Sequence, residues 1–594
     1  MKKLLLFISI FLFGITFAGC SLNSIAITSE TTIGTTGSTT VETTSTTTEA
    51  TTTAISTFTT EATTSAVSTQ ITTQEQTTAS TTTAATTLPT TAVTTLPTTV
   101  TSTTPPTTVE RYQTIRLFSM NDFHGGTYSD IENLEQIGSY MKYQKQTYEN
   151  TIILAAGDIF QGAALSNYYY GEPIVEAYNN IGFDGFVLGN HEFDWGIDKI
   201  LKYRDGIKTE DNAEMSYPIL AANIVYIDSG EPLENTIPYI IKEFNGIKVG
   251  VIGIIGNVID SISASRVQNI EFLDPTDTVY DYALELRSNQ DCDIVVVYAH
   301  SGSSINHEIA TFTGDHYVDA VFNGHTHQSE ASTISRAVGE SLVYAQSSNS
   351  DSSLFSKITL VYDTQIDEVI TVSAANISWS EIQYEVDTEI ESLLDEFQND
   401  SVYTAFVSQE LTEVSNYYNR SDLSTWGASV VRDYAQVDVG AINSGGFRST
   451  MPSGMLTMGN MIEIYPFDNY IKTSRLTGRQ LLDFYENIID YGDDVVFDDG
   501  LTYNGSNLYI DGVLVQATTL YTIGAVDYIF DKDYYAFLDG QDITQTVLLM
   551  RDLLVEDLLA TDGSFNPYNG TSFQDLSVIY DPNFFRDLRR RISI

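Results

Sequence analysis

The stretch GFVLGNHEFDWG, from Gly185 to Gly196, changes character at its centre. Its apolar run Phe186–Leu188 suits a buried strand, and Gly189 ends that run. The polar and aromatic residues at 190–194, NHEFD, then crowd into one turn. Because the whole chain of 594 residues has only 7 histidines, a histidine in this turn indicates a functional site at the end of a strand.

Four more segments follow the same pattern, in which an apolar run ends in a polar turn that contains glycine. They are Ile115–Phe118 before NDFHG (121–125), Ile152–Ala156 before Gly157-Asp158, Ile294–Val297 before HSG (300–302), and Val318–Phe322 before GHTH (324–327). Continuous β-branched runs are typical of strands buried on both faces. Helix-like stretches lie between them, at Ile131–Tyr148 and Thr276–Ser288. Since an open α/β sheet has its site at the strand ends, the five turns are expected to converge.

The polar groups of these turns offer imidazole, carboxylate and amide oxygen ligands and no thiolate. Such a set suits borderline divalent ions such as Zn, Mn, Co or Fe rather than a structural zinc of the cysteine type. The candidate ligands are Asp122, His124, Asp158, Asn190, His300, His325 and His327. Seven groups are too many for one tetrahedral ion, but they suit two ions of higher coordination number that share a bridge. The sequence therefore predicts a dinuclear metal site.

In chain order, the motifs SMNDFHG, GDIFQG, GNHEFD, YAHSG and NGHTH resemble the calcineurin-like metallophosphoesterase domain of the 5′-nucleotidase family. The resemblance runs from Arg111 to about Tyr362 and implies an α/β sandwich, which we assign to residues 111–365. It implies one metal held by Asp122, His124, Asp158 and His327. It implies a second metal held by Asp158, Asn190, His300 and His325, with Asp158 as the bridge.

The same resemblance gives the opening stretch a catalytic role. It implies that His191 faces the substrate and that Asp194 orients its ring, so that the two form a dyad. His191 would stabilise the transferring phosphoryl group or protonate the leaving oxygen. The alternative is that His191 only caps the third strand. His307 and His316 match no motif and are expected to be surface or loop residues.

A helix is predicted for Ser380–Asn399, because its apolar residues recur at helical spacing. These residues are Ile382, Val386, Ile390, Leu393, Leu394 and Phe397. The resemblance makes this segment, at 380–400, the connection between two domains. From the pattern alone, an ordinary core helix is the alternative.

From Val402 to about Phe585 the chain resembles the C-terminal substrate-binding domain of the same family, a second α/β domain that we assign to 401–594. The motifs include NSGGFR (443–448), YPFDN (465–469) and LTG (476–478). A guanidinium fixed after a glycine pair suits two-pronged binding of phosphate. The resemblance implies phosphate binding by Arg420 and Arg448, base stacking by Phe467 and Tyr528, and a hydrogen bond to the ring edge from Asn469.

The C-terminal half departs from the family pattern at two places. Asn416 stands where many relatives carry a second arginine, four residues before Arg420, so either phosphate affinity is weaker or another cation compensates. The segment Asp527–Phe537, DYIFDKDYYAF, replaces the usual Gly-Gly-Asp-Gly stretch. The acidic residue for the sugar hydroxyls is then Asp533 or Asp531, and the preferred base and sugar stay open.

The N-terminus is predicted to carry a secretion signal. Two lysines precede the apolar run Leu4–Phe17, and small residues lead into Cys20, which predicts a signal peptide over 1–20. Ala-Gly-Cys resembles a bacterial lipobox, so Cys20 is expected to carry a lipid; an ordinary signal peptide is the alternative. No later segment reads as a membrane span, and Cys292 is expected to be a buried hydrophobe.

Residues 21–110 are rich in threonine, with serine, alanine, glutamate and a few prolines. They carry too little apolar surface to offset chain entropy, so the segment is expected to be an extended, disordered stalk. We expect it to act as a spacer that holds the folded part off the membrane, close to the cell wall. An adhesive role for the stalk is the alternative.

The formal net charge is −50, from 28 basic and 78 acidic residues. Nucleic-acid polymers and anionic lipid surfaces bind clustered lysine and arginine, so neither is expected as a partner, apart from the lipid on Cys20. The resemblance implies an extracellular hydrolase that converts nucleotides to nucleosides and phosphate. Hydrolysis of nucleotide diphosphate sugars, or of 2′,3′-cyclic nucleotides with 3′-nucleotidase activity, would use the same site. A surface adhesin with a relict fold is the alternative from a different class.

Overall fold

The computed structural model describes residues 110–126, 132–206, 213–349, 353–382, 384–492, 494–561 and 563–567. The predicted signal peptide, the lipidation site Cys20 and nearly all of the threonine-rich segment lie outside the described residues. No helix in the described part of the chain has both the length and the hydropathy that crossing a membrane requires.

The N-terminal half contains two large β-sheets and one small one. Its strands are β1 (Tyr112–Met120), β2 (Thr151–Ala156), β3 (Gly185–Val187), β4 (Ile219–Leu220), β5 (Ile224–Tyr226), β6 (Thr236–Ile237), β7 (Tyr239–Phe244), β8 (Ile247–Ile255), β9 (Ile270–Phe272), β10 (Ile294–His300), β11 (Ala320–Phe322), β12 (Glu330–Ile334), β13 (Leu342–Gln346), β14 (Phe355–Asp363) and β15 (Glu368–Ile377). The first sheet has the order β15-β14-β1-β2-β3-β4-β6, the second has the order β12-β13-β11-β10-β8-β7, and β5 pairs with β9.

The strands that lead into the predicted ligand turns run parallel within these sheets. β1, β2 and β3 are parallel neighbours in the first sheet, and β10 and β11 are parallel neighbours in the second. Every residue of β2 and β10 is buried, as expected for β-branched runs that are covered on both faces. Because the carboxyl ends of parallel strands meet at one edge of a sheet, the turns that follow them lie close together.

Helices cover the outer faces of the two sheets. They are α1 (Glu132–Thr147), α2 (Ala164–Tyr168), α3 (Glu172–Ile181), α4 (Asp198–Leu201), α5 (Pro275–Leu284) and α6 (Asn306–Ile309). Between the sheets, side chains such as Leu154 and Val296 share one buried cluster. Outside them, Tyr178 of α3 packs on the first sheet and Val279 of α5 packs on the second. The N-terminal half is therefore the expected α/β sandwich.

The predicted connecting helix is shorter than expected and belongs to the N-terminal core. Helix α7 spans Thr388–Gln398, where the side chain of Asp387 accepts hydrogen bonds from the first free backbone N–H groups. Ile390 and Leu394 are fully buried in the cluster beneath α1 and α3. Helix α7 therefore packs as a core helix of the N-terminal half, and its role as the connection between the two domains stays a prediction. The domain limit predicted at 365 falls in the turn between β14 and β15, so the sandwich continues beyond that limit.

The C-terminal half is a second α/β unit. Its strands are β16 (Glu410–Val414), β17 (Val439–Asn443), β18 (Gly454–Thr457), β19 (Tyr470–Thr477), β20 (Val495–Phe497), β21 (Leu501–Tyr503), β22 (Leu508–Ile510), β23 (Val513–Leu514), β24 (Leu520–Val526), β25 (Gln541–Leu549) and β26 (Ser564–Phe565). Its helices are α8 (Ser401–Val407), α9 (Arg420–Ala435), α10 (Met458–Ile464), α11 (Gly478–Tyr491), α12 (Asp527–Phe530) and α13 (Met550–Ala560).

One sheet of this half explains how its predicted substrate residues come together. The strand order is β20-β17-β24-β19-β25, with β17 parallel to β24 and β19 antiparallel to β24. The ends of β17 and β24 therefore lie at the same edge as the start of β19. Arg448 follows β17, Phe467 and Asn469 precede β19, and Tyr528 follows β24 in α12.

Candidate active site

The five polar turns of the sandwich meet at one edge, and several of them hold their residues in an unusual backbone conformation. The residues with left-handed φ include Asp122 (52°), His124 (52°), Asp158 (55°), His325 (77°) and His327 (53°). Residues other than glycine rarely adopt this region, and strain of this kind concentrates at functional sites. Five of the seven predicted ligands adopt this left-handed conformation. The backbone alone therefore indicates that this edge of the sandwich serves a function.

Glycine is required at two positions because the site is packed so closely. A Cβ atom on Gly157, whose φ is +82°, would lie 2.4 Å from Nδ1 of His300. A Cβ atom on Gly189 would lie 2.3 Å from Oδ1 of Asp158. The glycines in these turns therefore let the ligand side chains approach the neighbouring strands.

The first group of ligands consists of Asp122, His124 and His327, whose ligand atoms all lie within 4.8 Å of one another. Nε2 of His124 is 3.2 Å from Nε2 of His327, and the latter is 3.6 Å from Oδ1 of Asp122. The Asp122 carboxylate also accepts from the backbone N–H of His325, at 2.9 Å. Two ring nitrogens and a carboxylate that face one point match a divalent-cation site.

The second group consists of Asp158, His300 and His325. Nε2 of His300 lies 3.0 Å from Oδ2 of Asp158 and 3.1 Å from Oδ1 of Asn190. Nδ1 of His325 lies 2.9 Å from the same Asn190 oxygen. Asp158 also has a ligand atom within 4.8 Å of His124, so its carboxylate lies between the two groups, where a bridging ligand would stand.

Backbone carbonyl groups orient the imidazole rings of both groups. Nδ1 of His124 lies 3.1 Å from the carbonyl oxygen of Gln161, and Nδ1 of His300 lies 2.8 Å from that of Ala156. A proton donated from Nδ1 to a carbonyl leaves Nε2 free to bind a metal, which is the usual arrangement around metal-binding histidines.

The pKa values of these histidines are shifted in opposite directions. Burial lowers the pKa of His325 to about 4, and burial also holds the pKa of His124 well below its usual value, so both rings are neutral at pH 7. Burial opposes a proton on His300 as well, but the Asp158 carboxylate outweighs burial and raises the pKa of His300 to about 9. The carboxylates of the site therefore stabilise a positive charge at this point, and a bound divalent cation would supply that charge.

Glu192 is a residue of this site that the sequence analysis did not assign. It is fully buried, and its carboxylate accepts from the backbone N–H groups of Gly189 (2.7 Å), Asp158 (2.9 Å) and Ile159 (2.9 Å). Those hydrogen bonds join the turn after β2 to the turn after β3. Glu192 therefore positions Asp158 and Asn190 without being a predicted ligand itself.

The predicted dyad is in hydrogen-bonding geometry. Nδ1 of His191 lies 2.7 Å from Oδ2 of Asp194, and the backbone N–H of His191 donates to Oδ1 of Asp158 at 2.8 Å. Burial lowers the pKa of His191, but the carboxylates of Asp194 and Asp158 together outweigh burial and raise the pKa above its ordinary value. With Nδ1 held by Asp194, Nε2 is the nitrogen that can exchange a proton with a substrate.

A cavity joins the edge of the sandwich to the C-terminal half. It has a volume of about 210 Å³. Arg448 and Phe467 enter it from the C-terminal side. The guanidinium carbon of Arg448 lies 6.0 Å from the centre of the Phe467 ring, and that ring lies 5.8 Å from the ring of His191. The structure thus brings the predicted dyad and two of the predicted substrate residues, Arg448 and Phe467, to one space.

Asn469 and Tyr528 line the same cavity. The Asn469 amide accepts from the hydroxyl of Tyr465 at 3.2 Å and donates to Oδ1 of Asp527 at 3.0 Å, so its orientation is fixed. The Tyr528 hydroxyl donates to the carbonyl of Asp260 at 3.4 Å, across the boundary between the halves. Both residues are placed where a planar base could meet them.

The structure does not bring Arg420 and Asp533 into the cavity lining. Arg420 is exposed at the first position of α9. The pKa of Arg448 is lowered mainly by burial, and the positive charge of Arg420 lowers it further. Asp533 is exposed, and the alternative Asp531 forms an ion pair with Lys472 at 2.6 Å. An acidic residue that does line the cavity is Asp494. It lies in an acidic run that the sequence analysis did not assign.

The two unmatched histidines lie elsewhere. His307 is exposed on α6, and His316 stacks on the ring of Tyr280, with the ring centres 3.4 Å apart. Cys292 is buried, as expected.

Two family matches divide the chain in the same way as its architecture. Residues 115–329 match the calcineurin-like phosphoesterase family, and residues 401–538 match the 5′-nucleotidase C-terminal domain. The chain belongs to the 5′-nucleotidase family. The resemblance drawn from the motifs and the predicted α/β fold class are therefore confirmed. The N-terminal match makes the protein a phosphoester hydrolase of a family that uses divalent metals.

Individual relatives have low sequence identity to this chain, but they align with it over several hundred residues. An apyrase from Tabanus yao is 28% identical over 457 residues, which cover 67% of this chain and 76% of the apyrase. A 5′-nucleotidase from Vibrio cholerae is 23% identical over 385 residues, which cover 57% of this chain and 68% of the relative. The crystal structure of a 5′-nucleotidase precursor from Thermus thermophilus aligns with a TM-score of 0.60 and 18% identity over 77% of this chain and 98% of that chain, which bears on the fold alone.

Proposed function

We propose that this protein is an extracellular, metal-dependent hydrolase that removes the 5′-phosphate from nucleotides and releases nucleosides and phosphate. The observation that carries the proposal is the shared cavity, because it joins the histidine–aspartate dyad and the ligand groups to Arg448 and Phe467. One nucleotide would then span both halves, with its phosphate at the edge of the sandwich and its base beside Phe467.

The ligand set fits two divalent ions such as Zn, Mn, Co or Fe. The first ion would be held by Asp122, His124, Asp158 and His327. The second would be held by Asp158, Asn190, His300 and His325. When bound, two such ions supply Lewis acidity toward a phosphoryl oxygen.

The remaining chemistry belongs to the side chains of the cavity. In hydrolysis, a water molecule gives up one proton to the solvent as its oxygen forms a bond to phosphorus, the bond from phosphorus to the 5′-oxygen breaks, and the 5′-oxygen gains a proton. His191 would supply that proton from Nε2 and regain one from the solvent, while Asp194 holds Nδ1 and stabilises the charged ring. Arg448 would bind the phosphoryl oxygens in two-pronged fashion. Phe467 and Tyr528 would bind the two faces of the base.

We also propose that the protein acts outside the cell, attached to the membrane by a lipid on Cys20 and held away from it by the stalk. The basic start, the apolar run and the Ala-Gly-Cys sequence support this part of the proposal. Labelling of the full chain with a radioactive fatty acid tests it. The label should be incorporated by the wild type and lost in Cys20→Ala, and equal labelling of both would contradict it.

A substrate panel tests the activity. The metal-loaded protein is given AMP, ADP, ATP, UDP-glucose, 3′-AMP and 2′,3′-cyclic AMP, and released phosphate is measured. We expect the highest kcat/KM with a 5′-monophosphate. A preference for UDP-glucose or for the cyclic nucleotide would assign the same site to a different phosphoester. No release from any of them would favour the relict adhesin.

A further inference from the structure

The loop after β8, residues 256–267, forms the wall of the cavity that belongs to the N-terminal half. Three of its polar side chains line the cavity, from Ser261, Ser263 and Arg266. None of the predicted ligands or dyad residues comes from this loop. The proposed function leaves its role open.

Side chains of the C-terminal half hold this loop in place. Lys532 is buried, and its ammonium group donates to the carbonyl of Asp260 and, at 3.1 Å, to that of Ile262. The same ammonium lies 4.7 Å from the centre of the Tyr528 ring. The loop and one predicted stacking aromatic are therefore fixed to each other, so the side chains of the loop have a defined position relative to a bound base.

Two polar groups of the loop face the cavity with unused hydrogen-bonding capacity. The hydroxyl of Ser263 is buried and has no hydrogen-bond partner among the described residues. The Arg266 guanidinium makes one long hydrogen bond in the described part of the chain, to the carbonyl of Asp468 at 3.3 Å. A buried hydroxyl left unpaired is costly, which indicates that a ligand completes it.

Arg266 lies beside the segment of the C-terminal half that carries Phe467 and Asn469. Its guanidinium donates to the carbonyl of Asp468, which stands between these two residues in the chain. The charge of Arg448 acts instead on the ligand histidines His124 and His327. Arg266 therefore does not take the place of the arginine that is missing at position 416; it faces the other end of a bound nucleotide.

The guanidinium of Arg266 offers only hydrogen-bond donors to this end of the cavity. The second N–H of the Asn469 amide is a donor as well. The two carboxylates that line the cavity here already accept hydrogen bonds, Asp468 from Arg551 and Asp494 from Ser444. An oxo group on the base ring, which accepts, suits these donors better than an exocyclic amino group, which only donates.

We propose that Arg266 and Ser263 recognise the base edge and select nucleotides whose base carries a ring oxo group, such as hypoxanthine, guanine or uracil. This inference rests on the proposed nucleotide hydrolysis and adds its base preference. Arginine paired with the O6 and N7 atoms of a 6-oxopurine has the geometry of a two-pronged contact.

The test compares substrates that differ only at that edge. For the full-length, metal-loaded protein, kcat/KM is measured for IMP against AMP and for UMP against CMP. The same pairs are measured for Arg266→Met, for Ser263→Ala and for the control Arg479→Met, which changes an exposed arginine on α11. p-Nitrophenyl phosphate, which has no base, reports whether each variant keeps its catalytic centre.

We expect the wild type and the control to prefer IMP and UMP. Arg266→Met should reduce that preference by about tenfold and leave hydrolysis of p-nitrophenyl phosphate unchanged. A wild type that favours AMP and CMP overturns the inference without reference to any variant. So does an Arg266→Met protein that retains the IMP preference, or one that selectively loses ADP relative to AMP, which would mean that Arg266 binds a second phosphate. Wild-type hydrolysis of p-nitrophenyl phosphate with no nucleotide hydrolysed would instead overturn the proposed function, and this inference with it.

Discussion

Glu192→Gln should destabilise the catalytic centre although Glu192 is not a predicted ligand. One carboxylate oxygen accepts from two backbone N–H groups, of Gly189 and Asp158, and the other accepts from that of Ile159. Glutamine has a single acceptor oxygen. If the glutamine oxygen takes the place that accepts from Gly189 and Asp158, the new NH₂ group faces the backbone N–H of Ile159. This N–H and the NH₂ group are then two buried donors without a partner.

The magnitude follows from two opposing effects. Each buried donor without a partner costs about 1–3 kcal/mol, which sums to roughly 2–6 kcal/mol for two. Burial, followed by the charge of Asp158, raises the pKa of Glu192 to about 7, so replacing the carboxylate also removes a cost of burying charge. We therefore expect a loss near the low end, about 2 kcal/mol in the free energy of unfolding.

Urea unfolding monitored by fluorescence, with and without added metal, measures this change. Glu396→Gln is the matched control, because Glu396 is exposed on α7. Glu192→Gln should lower the urea midpoint and also weaken metal binding, since the turns that carry Asp158 and Asn190 are no longer joined. An unchanged midpoint and an unchanged metal affinity would refute the positioning role.

The other predictions concern roles within the cavity. Asp158→Ala should reduce turnover by orders of magnitude and lower the bound metal, and two ions bound at a near-normal rate would contradict the bridging role. His191→Ala should lower kcat by about 10²–10⁴-fold with little change in KM. Arg448→Ala and Phe467→Ala should act mainly through KM, by about tenfold or more for the arginine; the reverse pattern would reject these assignments. A fragment of residues 110–399, which retains α7, should still cleave p-nitrophenyl phosphate but lose its preference for nucleotides. Full nucleotide selectivity in that fragment would show that the C-terminal half does not read the substrate.

The candidate metal ligands could be predicted from the sequence because each of them lies at the end of a strand or in the turn that follows it. Each ligand follows an apolar run within a few positions, and parallel strands then bring the turns together. His124, Asp158 and His327 lie 34 or more positions apart in the chain, yet the pattern alone placed them at one edge. Periodicity predicted α1 equally well, within one residue at each end.

Features that depend on tertiary contacts could not be read in the same way. Glu192 reads as one more polar residue in a turn until its partners, more than 30 positions away, are known. The apolar spacing of α7 predicted a helix but not which core it joins. Helix α12 and the segment after it depart from the family pattern, so nothing local distinguished the exposed Asp533 from a cavity residue. The loop with Ser263 and Arg266 has no motif, and only the fold places it opposite Tyr528.

The central claim is that two metal ions in the sandwich and the residues of the C-terminal half act together on one nucleotide. The most direct test strips the full-length protein with a chelator and then titrates it with Mn²⁺ while AMP hydrolysis and bound metal are followed together. The account predicts no activity in the stripped protein and a rise that saturates at two ions per chain, with nucleoside and phosphate released in equal amounts. Hydrolysis that survives complete removal of metal, or full activity at one ion per chain, would contradict it.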